Sequence, residues 1–110
     1  MYNYEAKVTR VVDGDTVDCD IDLGFGIHTH QRIRLAGINA PERYTNEGKA
    51  ATQWLIQQLV KYDLEIVLTV EKNRGKYGRW IGWLRCQDEL INDLIVQKGH
   101  ARPYLLKPIK

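Results

Sequence analysis

Four aspartates fall within residues 11–20, VVDGDTVDCD. Asp18, Asp20 and Asp22 alternate with Val17, Cys19 and Ile21, a period that assigns the acids to the wet face of a strand. Asp15 keeps the phase of the apolar residues, so the same period aims a carboxylate inward. Other charges sit where a strand pattern does not want them. Arg32 and Arg34 share one face of a later strand, opposite Ile33 and Leu35. Glu42 follows Pro41 where that strand ends, and Arg79 opens another strand in phase with Ile81 and Trp83. A buried charge without a partner costs roughly several kcal/mol or neutralises itself by a pKa shift, so each of these groups needs company. The pattern admits two readings. In one, Asp15–Arg34 and Glu42–Arg79 bridges form a purely structural network. In the other, the carboxylates hold a hard cation through oxygen and the arginines hold a phosphate. Metal ion, carboxylate base and paired guanidiniums are the parts needed to attack a phosphodiester.

The elements that must position these groups follow from periodicity and turn residues. Residues 4–12 predict a first strand, Asp13-Gly14 a tight turn with glycine supplying a positive φ, and residues 16–22 a second strand. LGFGIHTH (23–30) predicts a glycine-hinged hairpin loop, and QRIRLAGI (31–38) a third strand. In residues 45–62 the apolar positions 51, 54, 55, 59 and 62 make a helical stripe, with Thr45 or Asn46 as cap and Glu47 in the first turn. LEIVLTV (64–70) and RWIGWLRC (79–86) predict strands four and five, joined by the turn NRGKYG. DELINDLIVQKG (88–99) predicts a second helix, capped by Asp88 and stopped by Gly99, before an extended tail. Three strands, helix, two strands, helix is the order of a β-rich α+β protein, an OB-fold five-stranded Greek-key barrel with two helices. Residues 1–110 are expected to form one domain.

Composition narrows the field less than position does. At 110 residues, with 44% apolar and 27% charged side chains, the chain is long enough to bury a core without disulfide or structural metal. The net charge of +2 announces no polyanion binder, but residues 51–110 carry ten Lys/Arg against six Asp/Glu. Much of that excess lies in EKNRGKYGR (71–79), which reads either as a solvated turn or as a backbone-binding patch. Cys19 and Cys86 lack metal or redox spacing and are expected to be buried free thiols. His28 and His30, two apart, make an incomplete metal set, and His100 is expected at the surface. Trp54, Trp80 and Trp83 are expected to pack in or against the barrel, with Trp80 or Trp83 as an alternative stacking platform for a base. No apolar run approaches the ~20 residues of a membrane span, and no leader-like core precedes the first strand. That predicts a cytoplasmic protein, or a secreted one whose leader has been removed.

Three segments in order, VVDGDTV (11–17), RLAGINAPE (34–42) and KYGR (76–79), resemble the signature stretches of the staphylococcal nuclease (thermonuclease) family. LVKY (59–62), GHA (99–101), Tyr104 and KP (107–108) match more loosely. The resemblance implies a calcium-dependent endonuclease that hydrolyses DNA and RNA and leaves 3′-phosphates. It implies Asp15 and position 39 as side-chain calcium ligands and the Ala40 carbonyl as a third. Glu42 would reach the metal through water and serve as general base, while Arg34 and Arg79 clamp the scissile phosphate. Lys76, Tyr77 and Tyr104 would line the nucleotide site, and Lys72, Arg74 and Lys76 would meet the backbone.

Two departures stand out. Position 39 is Asn where a well-known member has Asp, which removes a full negative charge from the calcium site. The chain stops soon after KPIK, without the final helix of the larger secreted enzymes, and Leu106 replaces a stacking aromatic. The resulting expectation is a monomeric nuclease of low sequence specificity, reading phosphate rather than base edges and preferring single-stranded or denatured substrate. The rival is a catalytically silent barrel of the same family that binds nucleic acid or a protein partner.

Overall fold

The computed structural model describes residues 2–71 and 80–104. Its strands are β1 (Tyr2–Asp13), β2 (Thr16–Gly24), β3 (Ile27–Leu35), β4 (Ile38–Asn39), β5 (Glu65–Val70), β6 (Trp80–Cys86), β7 (Glu89–Leu90) and β8 (Arg102–Pro103). Its helices are α1 (Asn46–Val60) and α2 (Ile91–Gln97). β1 pairs antiparallel with β2 and β5, β2 with β3, and β5 with β6. The circle closes where Ile33–Leu35 run parallel to Trp80–Gly82. This is a closed five-stranded barrel of OB type with two helices.

The period-2 residues fill it. Val8, Val17, Cys19, Ile21, Ile33, Leu35, Ile66, Leu68, Val70, Leu84 and Cys86 are all buried inside. α1 closes one side with Ala51, Leu55 and Leu59, which recur at helical spacing, and α2 adds Ile91 and Ile95. The seam between β3 and β6 is reinforced by Asn92 of α2. Its Oδ1 accepts from the Leu84 N–H at 2.9 Å, and its Nδ2 donates to the carbonyls of Ala36 and Gly82 at 2.8 and 3.2 Å. Both cysteines are buried and free; burial pushes the Cys19 thiol up to about 12 and Cys86 to about 11, so neither is a ready nucleophile.

Several sequence expectations are corrected. Ile27–His30 belong to β3 rather than to a loop, and the β2–β3 turn is made by Phe25 and Gly26, both at positive φ. Gly14 is not in the left-handed region. Its lack of a side chain provides space instead: a Cβ there would lie 2.8 Å from that of Ala40 and 2.9 Å from that of Ala51. Asp88 does not cap α2; Glu89–Leu90 first pair with β6, and the helix starts after Leu90 without a side-chain cap. Its end is as expected. Gly99 has φ 83°, and the Gly99 and His100 N–H groups donate to Val96 and Ile95, both at 3.0 Å, in a Schellman closure. In β6 the inward phase is Gly82, Leu84 and Cys86, so Ile81 and Trp83 lie half-buried on the other face. Among the described residues no helix is long and apolar enough to cross a membrane.

Candidate active site

The turn between β1 and β2 delivers Asp15 to the end of the barrel. Asp13 Oδ1 accepts the Asp15 N–H at 3.0 Å, a local side-chain turn that fixes the backbone. The Asp15 carbonyl accepts the Leu35 N–H at 2.8 Å, which ties the turn to β3. The Asp15 carboxylate is only 7% exposed. Its Oδ1 accepts the Thr16 hydroxyl at 2.9 Å and its Oδ2 the Ala40 N–H at 2.9 Å. Gly14 makes this approach possible, because any larger residue would press on Ala40 and α1.

Arg34 leaves β3 on the same side. Its Nη1 lies 2.8 Å from Asp15 Oδ2, and its Nη2 donates to Asn39 Oδ1 at 3.2 Å. The Nη1 contact is close enough for an ion pair, but its direction is poor, and that buried nitrogen has no hydrogen-bond partner among the described residues. We read the pair as Coulombic attraction without a formed hydrogen bond. Arg32, the neighbouring guanidinium on this face, is committed elsewhere, to both oxygens of Asp18 at 2.8 and 3.2 Å.

The charges here do not settle each other evenly. Burial, together with the adjacent Asp15, pushes the Asp13 carboxyl up to about 6. Burial works against the charged form of Asp15 as well. Hydrogen bonds with Asp13, the Ala40 N–H and Thr16, and the positive charge of Arg34, outweigh it and hold Asp15 below the ordinary carboxylate value.

Glu42 stands on the loop just beyond Ala40, with an exposed side chain. Its backbone is fixed: the Glu42 carbonyl accepts from the Thr45 N–H at 3.0 Å and the Thr45 hydroxyl at 2.7 Å. Thr45 in turn caps α1, accepting the Gly48 N–H at 2.9 Å. A Cβ at Gly48 would collide with the Glu42 carbonyl, so glycine lets the Glu42 loop rest on the first helical turn.

The structure thus brings Asp15, Arg34, Asn39 and Ala40 into one bonded group, with Glu42 close by in sequence. Arg79, Lys72, Arg74, Lys76, Tyr77 and Leu106 lie outside the described residues, and so does the expected Glu42–Arg79 bridge. Tyr104 is exposed, and its N–H donates to the Gly37 carbonyl at 2.7 Å. His28 and His30 are exposed on β3, with His28 Nδ1 3.2 Å from Asp20 Oδ1. Trp54 and Trp80 pack against the core, and His100 is half-buried with its ring 5.8 Å from that of Trp54. Thr16, Thr45 and the two glycines were missed as supports of the site. Only Thr45 carried a local signal, and that signal was for a helix cap.

Among the described residues no three His, Cys, Asp or Glu side chains gather as a metal-ligating group. Any cation here depends on mixed oxygen donors: the Asp15 carboxylate, the Asn39 amide and the Ala40 carbonyl. That donor set fits a hard divalent ion, which tolerates irregular oxygen cages completed by water. Burial first, and the neighbouring Asp15 second, raise the Asp13 carboxyl, and a nearby cation would favour its charged form.

A closed OB barrel with acid, amide and guanidinium groups converging at one end defines the class. Residues 32–109 match the staphylococcal nuclease homologue family, and the chain belongs to that family. It is similar to a thermonuclease of Staphylococcus intermedius, 30% identical over 107 residues, which cover 92% of this chain and 60% of that protein. It is similar to a micrococcal nuclease of Shigella flexneri, 31% identical over 111 residues, covering 93% and 59%. Protein ParB of Escherichia coli is 32% identical over 107 residues, covering 89% and 56%. The chain therefore spans between half and two thirds of the length of these relatives.

Proposed function

We propose that this chain is a divalent-cation-dependent nuclease that hydrolyses phosphodiester bonds of DNA and RNA, with calcium as the ion of choice. The observation that carries the reading is the Asp15–Arg34–Asn39–Ala40 group, a carboxylate and a guanidinium held together at one rim of the barrel. Asp15, Asn39 and Ala40 are the residues that would hold the cation, with Glu42 reaching it through water. When bound, the cation neutralises phosphate charge and stabilises the charge that develops in the transition state.

The protein groups do the rest. Arg34 positions the phosphate with the accessible part of its side chain, which is 21% exposed, while its buried Nη1 stays beside Asp15. Glu42 is exposed and its side chain makes no hydrogen bond with a described residue, so its carboxylate is available to orient a water and take its proton. Arg79 is the second guanidinium of the clamp, and Tyr104 with Lys76 and Tyr77 borders the nucleotide. Cleavage at the 5′-oxygen leaves 3′-phosphates. These groups address phosphate and sugar rather than base edges, so sequence specificity is low and accessible, single-stranded substrate is preferred. The enzyme works as a monomer.

The silent-barrel reading has one observation in its favour: the Asn39 amide oxygen is turned to Arg34 and brings no charge. The test is release of acid-soluble nucleotides from denatured DNA, in calcium and in chelator, by wild type, Glu42→Gln and Asn39→Asp. The proposal expects chelator-sensitive cleavage by wild type that falls about 10²–10⁴-fold in Glu42→Gln. Binding without cleavage by wild type, with activity only in Asn39→Asp, would mean a disarmed nuclease.

A further inference from the structure

A cleft of about 590 Å³ opens directly beside the candidate site. One wall is the 39–41 loop, the floor includes Glu47 and Ala50 of α1, and the far wall is residues 99–102, which follow α2. We infer that this cleft holds the nucleoside and phosphate adjacent to the scissile phosphate, with Arg102 as the cation that grips that second phosphate. The inference rests on the nuclease reading and adds a subsite to it.

Continuity is the first argument. Asn39 and Ala40 belong to both places: they join Arg34 and Asp15 by hydrogen bonds, and they line the cleft. Arg102 lies directly opposite Asn39 in the β4–β8 pair, so the two side chains share a face of that ribbon. Arg34, Asn39 and Arg102 therefore form a polar path from the candidate reaction centre into the cleft.

Charge is the second. Arg102 is exposed and forms no ion pair with an acid among the described residues. An acid at position 39 would sit across the ribbon from it and engage it. Asn39 does not, so this chain leaves a guanidinium available at the cleft rim. Glu47 of α1 also lines the cleft, where its carboxylate would repel phosphate and accept from exocyclic amines of a base. That polarity sets the phosphate toward Arg102 and the base toward α1.

Shape is the third. The volume lies within the range of about 300–1,000 Å³ usual for small-molecule sites. His100 lines the cleft while its ring rests against Trp54, 5.8 Å between centroids at 33°, which fixes a flat surface for a sugar or base. A second depression among the described residues, about 440 Å³, is lined by Glu5, Asp20, Asp22 and Glu65 against Lys7 and Arg85, so its balance is negative and suits a polyanion less well.

The test uses the Glu42→Gln protein in calcium, so that substrate binds without being cut, and a fluorescein-labelled decathymidylate as probe. Arg102→Gln is expected to weaken binding about tenfold and to reduce the slope of log affinity against log salt by about 0.7, the value of one phosphate contact on a single strand. Ala50→Trp, at an exposed helical position, fills the cleft and is expected to weaken binding by a similar factor. Neither change should reduce calcium affinity. Binding within twofold of the parent and an unchanged salt slope in both variants would overturn the subsite while leaving the nuclease reading intact. Absence of oligonucleotide binding by the Glu42→Gln parent itself would overturn both.

Discussion

Asn92 and Asp15 lie against the two sides of β3, Asn92 toward β6 and Asp15 toward β2, and both are buried polar residues, 2% and 7% exposed. Asn92 is neutral and its three hydrogen bonds reach backbone groups of Ala36, Gly82 and Leu84. Nothing near it is left over. Asp15 is charged, crowds Asp13, and faces an arginine whose buried Nη1 lacks a hydrogen bond among the described residues. A satisfied polar group in a core fixes structure. A cluster that satisfies its members unevenly keeps capacity for something else, and perturbed carboxylates concentrate at functional sites for that reason. The two sides of β3 therefore have different work: Asn92 holds the barrel shut against β6, and the Asp15 cluster presents charge.

The sharpest way to break this contrast is to exchange the expected consequences. Asn92→Ala should destabilise the fold by about 3 kcal/mol, because it takes the Asn92 partner from the Leu84 N–H and the Ala36 carbonyl in the interior, while the Gly82 carbonyl keeps the Ala36 N–H. Urea unfolding measures this, and cleavage per folded molecule should stay as it was. If Asn92→Ala instead removed activity without loss of stability, the division between Asn92 and the Asp15 cluster would be wrong. Asn39→Asp should act at the Asp15 cluster only. It restores a negative charge to the donor set and should tighten calcium binding about tenfold, roughly 1.4 kcal/mol, by calorimetric titration.

The smallest expected effect concerns pH. Folded Asp13 has a pKa of about 6, against 3.8 ordinarily, so between those values the folded protein holds a proton that the unfolded chain has released. The stabilisation from that proton is complete below pH 3.8 and disappears as pH rises through 6. Asp13→Asn keeps the oxygen that accepts from Asp15 and has no proton to lose. In chelator, its stability relative to wild type should rise between pH 4 and pH 7. A constant difference across that window would remove the evidence for a burial-perturbed carboxyl in the Asp15 cluster.

The same contrast explains what the sequence reveals. The barrel strands and α1 were legible because burial on one face leaves a periodic record, as in Val17, Cys19 and Ile21 or Ala51, Leu55 and Leu59. Asp15 and Arg34 were legible because they violate that record. The first half of β3 was not: Ile27, His28 and His30 are exposed, so no alternation marks Ile27–His30 as strand. Asn92 was hidden for the opposite reason. A polar residue in a short helix looks solvated, and only the tertiary arrangement shows it bonded to three backbone groups. Gly14 and Gly48 were expected, if at all, for their freedom in φ; their role is clearance for Ala40, Ala51 and Glu42, which no local pattern encodes. The cleft at Arg102 depends on the register of β4 against β8, again a long-range fact.

The central claim is that the Asp15 cluster is a place for a cation and a phosphate rather than a second structural clasp. Calcium titration by calorimetry, on wild type and Asp15→Asn, addresses it most directly when each protein is also melted in chelator. The account predicts saturable binding of one calcium ion by wild type, loss of that binding in Asp15→Asn, and melting temperatures in chelator that stay close together. No calcium binding by wild type, with a large loss of thermal stability in Asp15→Asn, would contradict it and make the cluster a salt-bridge network that holds the barrel closed.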